Sequence, residues 1–465
     1  MKKVVKLILV GVLSSATLTG CKKTPDSAPA PASSMDNVLS GNLETRTLDA
    51  NIRYTLKGLV YVNDGKTLTI PAGTVIMGDK ASKASLIINR GGKLLANGTA
   101  SNPVVFTSSA PTSYKNYGDW GGIVICGKSP NNQGTDYAIE GPTDFNVANG
   151  TGNGIYGGTD ELDNSGSLTY VRLEFGGIVY SPDKEINGLT LGSVGSGTTI
   201  EHIQVSYSGD DAVEWFGGSV NCKYLVQFRT WDDDFDTDFG YHGNVQFGIA
   251  MRDRTVADVS ASNGFESDND AAGSSKMPLT TAKFSNITIL GPLVYGQKNV
   301  SANFGAGMHL RRNTSLSIQN SIITGYPTSA NFDKYNTTVA SNVKNNLYGS
   351  WKSGNSSNAN GALFTAGNSN DTTGFWSANK FASTSTSTSA SEIFDFAGNA
   401  NDEADLSSGK AIQKATSKGL EGADFTSLPA FFTSTTYLGA MGTTPDAGWA
   451  WDSGWLNFTP ESTTY

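Results

Sequence analysis

Short apolar runs recur at a fixed step through the middle of this chain, and that repetition limits the fold more than any other feature. Val205 in Ile203-Gln204-Val205-Ser206-Tyr207, Val226 in Tyr224-Leu225-Val226-Gln227-Phe228 and Phe247 in Val245-Gln246-Phe247-Gly248-Ile249 are each 21 residues apart, and Ile289 lies 42 beyond Phe247. A step of this size suits one coil of a stacked solenoid, whose coils bury their apolar sides only by lying on one another. Alternation within a run predicts Val245, Phe247, Ile249 and Met251 on the inward side. Similar runs at 59–62, 68–70, 74–76, 86–88, 93–96 and 104–107 are separated by Gly and Asn turns, with no helical pattern between them. With 54 Gly and only 16% charged residues, the composition suits many short strands and turns. The predicted class is all-β, a right-handed parallel β-helix with irregular loops. Trp449, Trp451 and Trp455 near the end predict an aromatic-rich C-terminal cap over the exposed last rung.

The first residues carry an address rather than structure. Lys2, Lys3 and Lys6 precede an apolar run at 7–13, and Leu18-Thr19-Gly20-Cys21 forms a small-residue cleavage site. This resembles a bacterial lipobox, which implies lipidation of Cys21, anchoring to the outer membrane through the lipid, and outward display. The run is too short to span a bilayer. Pro, Ala and Ser then dominate a stretch too poor in apolar residues to fold. The expected division is a signal peptide at 1–20, lipidated Cys and tether at 21–45, parallel β-helix at 46–345, and late coils, Ser/Asn-rich loops and cap at 346–465, with one helical patch near Asp402 to Lys418. Without the three signal lysines, 30 basic residues face 42 acidic ones, which excludes nucleic acid as a partner. Cys126 and Cys222 are too few for a disulfide framework, and Cys126 reads as a buried strand residue.

Acidic segments follow the repeated runs at comparable offsets: Gly209-Asp210-Asp211 after Val205, and Asp232-Asp233-Asp234 after Val226. Coils in register would hold such acids about 4.8 Å apart. Two unit charges at about 5 Å repel by roughly 3 kcal/mol at an effective dielectric of 20. A partly buried ladder then needs a cation, basic partners or protonation. Alternation places Asp232, Asp234, Asp236 and Asp238 on one side, opposite Phe235 and Thr237, and Glu266, Asp268 and Asp270 form a further acidic segment. Calcium is the expected cofactor, with these seven as its ligands. An EF-hand is excluded, because Phe239 stands where its loop requires Gly. Trp215, Trp231, Tyr241 and Arg252 are the candidate ligand-binding side chains, since aromatic rings stack on sugars and carboxylates accept hydroxyl hydrogen bonds.

The segments Gly65-Lys66-Thr67-Leu68-Thr69-Ile70-Pro71-Ala72-Gly73-Thr74 and Gly91-Gly92-Lys93-Leu94-Leu95-Ala96-Asn97-Gly98-Thr99 resemble early coils of the pectate-lyase-like β-helix family. Gly118-Asp119-Trp120-Gly121-Gly122, Ser181-Pro182-Asp183-Lys184-Glu185 and Phe265-Glu266-Ser267-Asp268-Asn269-Asp270 further resemble a group of β-helix surface lipoproteins from Bacteroidota. That resemblance implies fold and surface location and supplies no reaction. Gly209-Asp210-Asp211 and Tyr241-His242-Gly243 resemble two polygalacturonase elements, although that family's Asn-Thr-Asp element is absent. Asp210, Asp211 and His242 are accordingly the candidate catalytic residues of a glycoside hydrolase or a calcium-dependent lyase. The first expectation is a calcium-stabilised β-helix that binds a polysaccharide or an envelope protein without catalysis.

Overall fold

The computed structural model describes residues 37–181, 184–295, 299–336, 339–349, 372–382, 389–394 and 411–465. The expected signal peptide, Cys21 and the tether up to residue 36 lie outside them, as do the Ser/Thr run at 383–388 and the expected helical patch up to residue 410. The first strand, Val38–Leu43, already falls within the stretch that composition reads as tether.

Strands stack in parallel on three faces. One face runs from Thr67–Pro71 through Lys93–Asn97 to the first halves of the long strands Gly166–Glu174, Thr199–Ser206, Asn221–Phe228, Asn244–Met251 and Lys283–Leu290. The second halves of those strands build the next face, continued by Ile322–Thr324 and Leu347–Gly349. The third face stacks Ser85–Ile88, Ile123–Cys126, Leu189–Gly192, Val213–Phe216, Phe235–Asp238, Phe265–Ser267 and His309–Arg311. Leu, Ile, Val and Phe from all three faces fill one continuous interior. Cys126 and Cys222 are both buried and unpaired.

The true coil step is slightly longer than the sequence echo. Ile200 pairs with Cys222, and Cys222 with Val245, so the step is 22 and then 23 residues. The 21-residue spacing therefore joins positions that are out of register: Val205 lies beside Gln227, not Val226. Each long strand turns a corner at one left-handed residue, and these residues form a column: Tyr170, His202, Tyr224, Phe247, Asn286, Asn320 and Asn345. Their rings stack at 4.2 Å between Tyr170 and His202, 4.5 Å between His202 and Tyr224, and 5.1 Å between Tyr224 and Phe247. The corner also resets the alternation. A Cβ on Gly248 would lie against Phe235 of the third face, so Gly248 points inward and its neighbour Ile249 outward. Ile249 and Met251 thus leave the expected inward row, because Phe247 is the corner.

The outward side of those strands is covered by the C-terminal segment. It runs back along the flank: Asp424 bonds Asn320, Thr433 bonds Gln246, Gly448 bonds His202, Asn457 bonds Gln204 and Tyr465 bonds Glu174. The aromatic-rich end therefore straps the side of many coils instead of capping the last one, because the corner column presents both ring faces and side-chain amides that need partners. Trp449 meets Tyr224 edge-on at 5.2 Å, and Trp455 meets His202 at 5.5 Å; both are fully buried. Trp455→Ala is expected to destabilise the fold by about 3–5 kcal/mol, measured as a lower urea midpoint. A loss below about 1 kcal/mol would show that the strap is peripheral to stability.

Candidate functional site

The acids come together where the second face turns into the third. Glu214 pairs with Asp236, and Asp236 with Glu266, on the outer side of the third face, while Val213, Phe235 and Phe265 fill the interior below. The turn before each strand adds Asp210 and Asp211 from one coil, and Asp232 and Asp233 from the next. Three sets have carboxylate oxygens within 4.8 Å of one another: Asp210, Asp211 and Asp232; Asp211, Glu214 and Asp236; and Asp233, Asp236 and Glu266. Burial and mutual repulsion raise these groups together. Desolvation followed by Asp232 holds Asp210 well above the usual carboxylate range, and desolvation followed by Asp210 does the same to Asp211. Glu214 is raised by desolvation and then Asp236, and Asp236 itself is pushed up to about 7 by burial and then Asp268.

Other acids of these segments have partners of their own, although Asp238 stays raised by burial and then Asp268. Asp234 is fully buried and bonds Arg252 at 3.0 Å, with the Tyr326 hydroxyl 3.4 Å away. It precedes the strand Phe235–Asp238, so the alternation expected of it does not hold, and it turns inward. Arg252 is buried with it beside the Phe304 ring, donating to the carbonyls of Trp231 and Asp232 rather than facing a ligand. Asp268 accepts from Arg311 at 2.9 Å and Arg312 at 2.6 Å, and Arg311 also grips Glu266. Asp238 accepts from the Phe239 amide, and Asp270 closes a turn by accepting from the amides of Ala272 and Ser274. Asp234 and Asp270 are therefore not outward ligands, whereas Asp233, outside the expected set, joins the ladder.

Trp215 and Tyr241 are core residues. Both are fully buried, with rings stacked at 5.4 Å, because Trp215 lies beside Thr237 on the inner side of the third face. Trp231 is 38% exposed and meets Tyr117 edge-on at 5.3 Å. These two rings wall a cleft of about 600 Å³ whose floor carries Asp210 and Asp232, with Glu140, Glu185 and Asp258 around it. His242 sits at the other end of the third face, after Phe235–Asp238, where its ring nitrogens meet the Gly240 carbonyl at 2.7 Å and Glu161 at 2.9 Å. It therefore does not complete a catalytic group with Asp210 and Asp211. Glu161 belongs to the Gly-rich loop 157–166, which His242 ties to the coils.

Sequence reasoning missed Asn187, Glu140 and Tyr117 as members of the site, because loops remote in sequence deliver them. Glu214 was detectable: it stands 22 positions before Asp236, the true coil step.

Two outcomes follow. Asp234→Leu or Arg252→Met alone should destabilise the protein by about 3–5 kcal/mol, since each strands a buried charge, and the double replacement should recover much of it; urea unfolding of the three variants checks this, and additive losses would contradict it. Asp236 has a folded value near 7 against an ordinary value of 3.8. The folded state therefore holds its proton more tightly, and stability present at acid pH is lost as pH rises through that window. With divalent cations chelated, melting temperature should fall between pH 4 and 7, and less steeply in Asp236→Asn; equal slopes would contradict the shift.

No curated protein and no solved structure matches the chain. The model of the pectate-lyase like beta helix domain family matches residues 41–407. With three parallel faces wound around one interior, the chain belongs to the family of pectate-lyase-like β-helix domains.

Proposed function

We propose that this protein is a non-catalytic, calcium-stabilised β-helix, held at the bacterial outer membrane by a lipid on Cys21, that binds a glycan in its acid-floored cleft. The observation that carries the reading is the cleft of about 600 Å³, lined by the 38% exposed Trp231 and by Tyr117 together with Asp210 and Asp232. An aromatic face covers the apolar side of a sugar ring while carboxylates accept its hydroxyls, and the volume suits a short stretch of polymer. An envelope protein presenting basic residues is the other ligand such a cleft would take. Non-catalytic binding is preferred because His242, the candidate catalytic histidine, is engaged with Glu161 and not with Asp210 or Asp211.

The enzyme reading, a glycoside hydrolase or calcium-dependent lyase, rests on Asp210 and Asp232. Their oxygens approach within 4.8 Å on the cleft floor, and burial raises both carboxyl groups, as a proton donor requires. A polysaccharide panel separates the two. Binding without new reducing ends or unsaturated products, weakened about tenfold by Trp231→Ala, a loss of roughly 1.4 kcal/mol, supports the proposal. Cleavage lost in Asp210→Asn would replace it with the enzyme, and retention only of an envelope protein would replace the glycan.

A further inference from the structure

The three carboxylate sets differ in what surrounds them. Of the set Asp210, Asp211 and Asp232, Asp210 and Asp232 line the cleft, whereas Asp211 lines the smaller cavity beside it. In the set of Asp233, Asp236 and Glu266, Arg311 pairs with Glu266 and the Asn263 amide donates to Asp233. Among the described residues, no Lys or Arg side chain lies within ion-pair distance of Asp211, Glu214 or Asp236. The Asp233 amide donates to Asp211 at 2.7 Å, which offsets only part of three clustered charges.

An independent sign of a ligand comes from Asn187, a neutral residue only 3% exposed that lines the same small cavity as Asp211 and Glu214. Its Nδ2 donates to Glu214 Oε2 at 2.6 Å and to Thr190 Oγ1 at 3.2 Å. With Glu214 ionised, as it is beside a cation, its carboxylate only accepts, which puts the amide nitrogen of Asn187 towards Glu214 and Thr190. The other end, Oδ1, is buried and receives no hydrogen bond. Sharing a carbon with Nδ2, it lies within about 5 Å of the Glu214 oxygen. A buried carbonyl oxygen without a donor calls for a partner, and beside carboxylates with no ion-paired base a cation supplies one. All four side chains offer hard oxygen, the ligand set of calcium rather than of zinc or copper.

We infer that Asp211, Glu214, Asp236 and the carbonyl oxygen of Asn187 bind one divalent cation of the calcium class between consecutive coils. Asn187 comes from the coil before, Asp211 and Glu214 from the middle one, and Asp236 from the coil after, so one ion joins three coils. This rests on the cation-stabilised part of the proposed function and is independent of the glycan. It also separates two roles within the acids: the Asn187 set serves the fold, while Asp210 and Asp232 remain for the cleft.

Calcium titration of the chelator-treated full-length protein, followed by heat of binding and by melting temperature, tests the site. Calcium should bind and raise the melting temperature of the wild type, and Asn187→Ala should weaken that binding about tenfold. Asp236→Asn should remove the calcium response while melting no lower than wild type in chelator, because it relieves repulsion; a merely structural residue would melt lower. Asp270→Asn, which alters a turn elsewhere, should keep the wild-type affinity for calcium. The inference is overturned if the wild type takes up no calcium, if it takes up magnesium equally well, or if Asn187→Ala and Asp236→Asn retain full affinity. Calcium uptake by a protein that binds no glycan would support this site while removing the cleft proposal, and glycan binding by a calcium-indifferent protein would do the reverse.

Discussion

Parallel stacking brings equivalent residues of successive coils to about 4.8 Å, and the rest of this structure has to accommodate that spacing. For apolar residues the spacing is favourable on every coil: Val213, Phe235 and Phe265 lie one above another and fill the interior. For ionised residues it is costly, roughly 3 kcal/mol per adjacent pair at an effective dielectric of 20. Glu214, Asp236 and Glu266 occupy one such column on the outer side. The protein meets that cost differently along the column. Arg311 bridges Glu266 and Asp268 at its later end, whereas Glu214 and Asp236 lie beyond any ion-pairing base among the described residues. The same backbone spacing that builds the core therefore crowds acids whose charge is relieved by protons or, in the proposed reading, by a cation.

The opposite corner solves a different problem with the same geometry. There a left-handed residue turns each long strand, and aromatic or amide side chains stack on that column. Its outward side presents ring faces and side-chain amides, and the C-terminal segment lies over it, donating and accepting hydrogen bonds coil by coil at Asn320, Gln246, His202 and Gln204. The strap thus holds the flank, and the turn bearing Asp210 and Asp232 is left open as a cleft. Stability and ligand access are assigned to different edges of the solenoid. The proposed glycan binding has use for that separation.

Much of this was legible from residue order alone. Short runs, Gly and Asn turns and a step near 21 specify stacked coils, and the acids after Val205 and Val226 do converge. The register was not legible, because one left-handed corner per coil flips the alternation and lengthens the step to 22 or 23 residues. The shorter echo hid Glu214 beneath Asp236, while alternation carried back into the turn before the strand assigned Asp234 to the outside. Burial of Arg252 with Asp234, and of Trp215 on Tyr241, depends on how a turn enters its strand, which local patterning does not encode. Asn187 reaches the acids from a loop in the preceding coil, and no local motif marks it. The direction of the C-terminal segment was equally hidden: three tryptophans announce burial, not the surface they cover.

The central claim is that stacked charge on the third face is relieved by an ion held between coils. A crystal structure grown in calcium, with the anomalous difference map calculated at long wavelength, tests it most directly. The account predicts a peak bounded by Asp211, Glu214, Asp236 and Asn187 Oδ1, with oxygen distances of about 2.3–2.6 Å. A map without that peak, in which the carboxyl groups instead share protons across short oxygen–oxygen contacts, would contradict it.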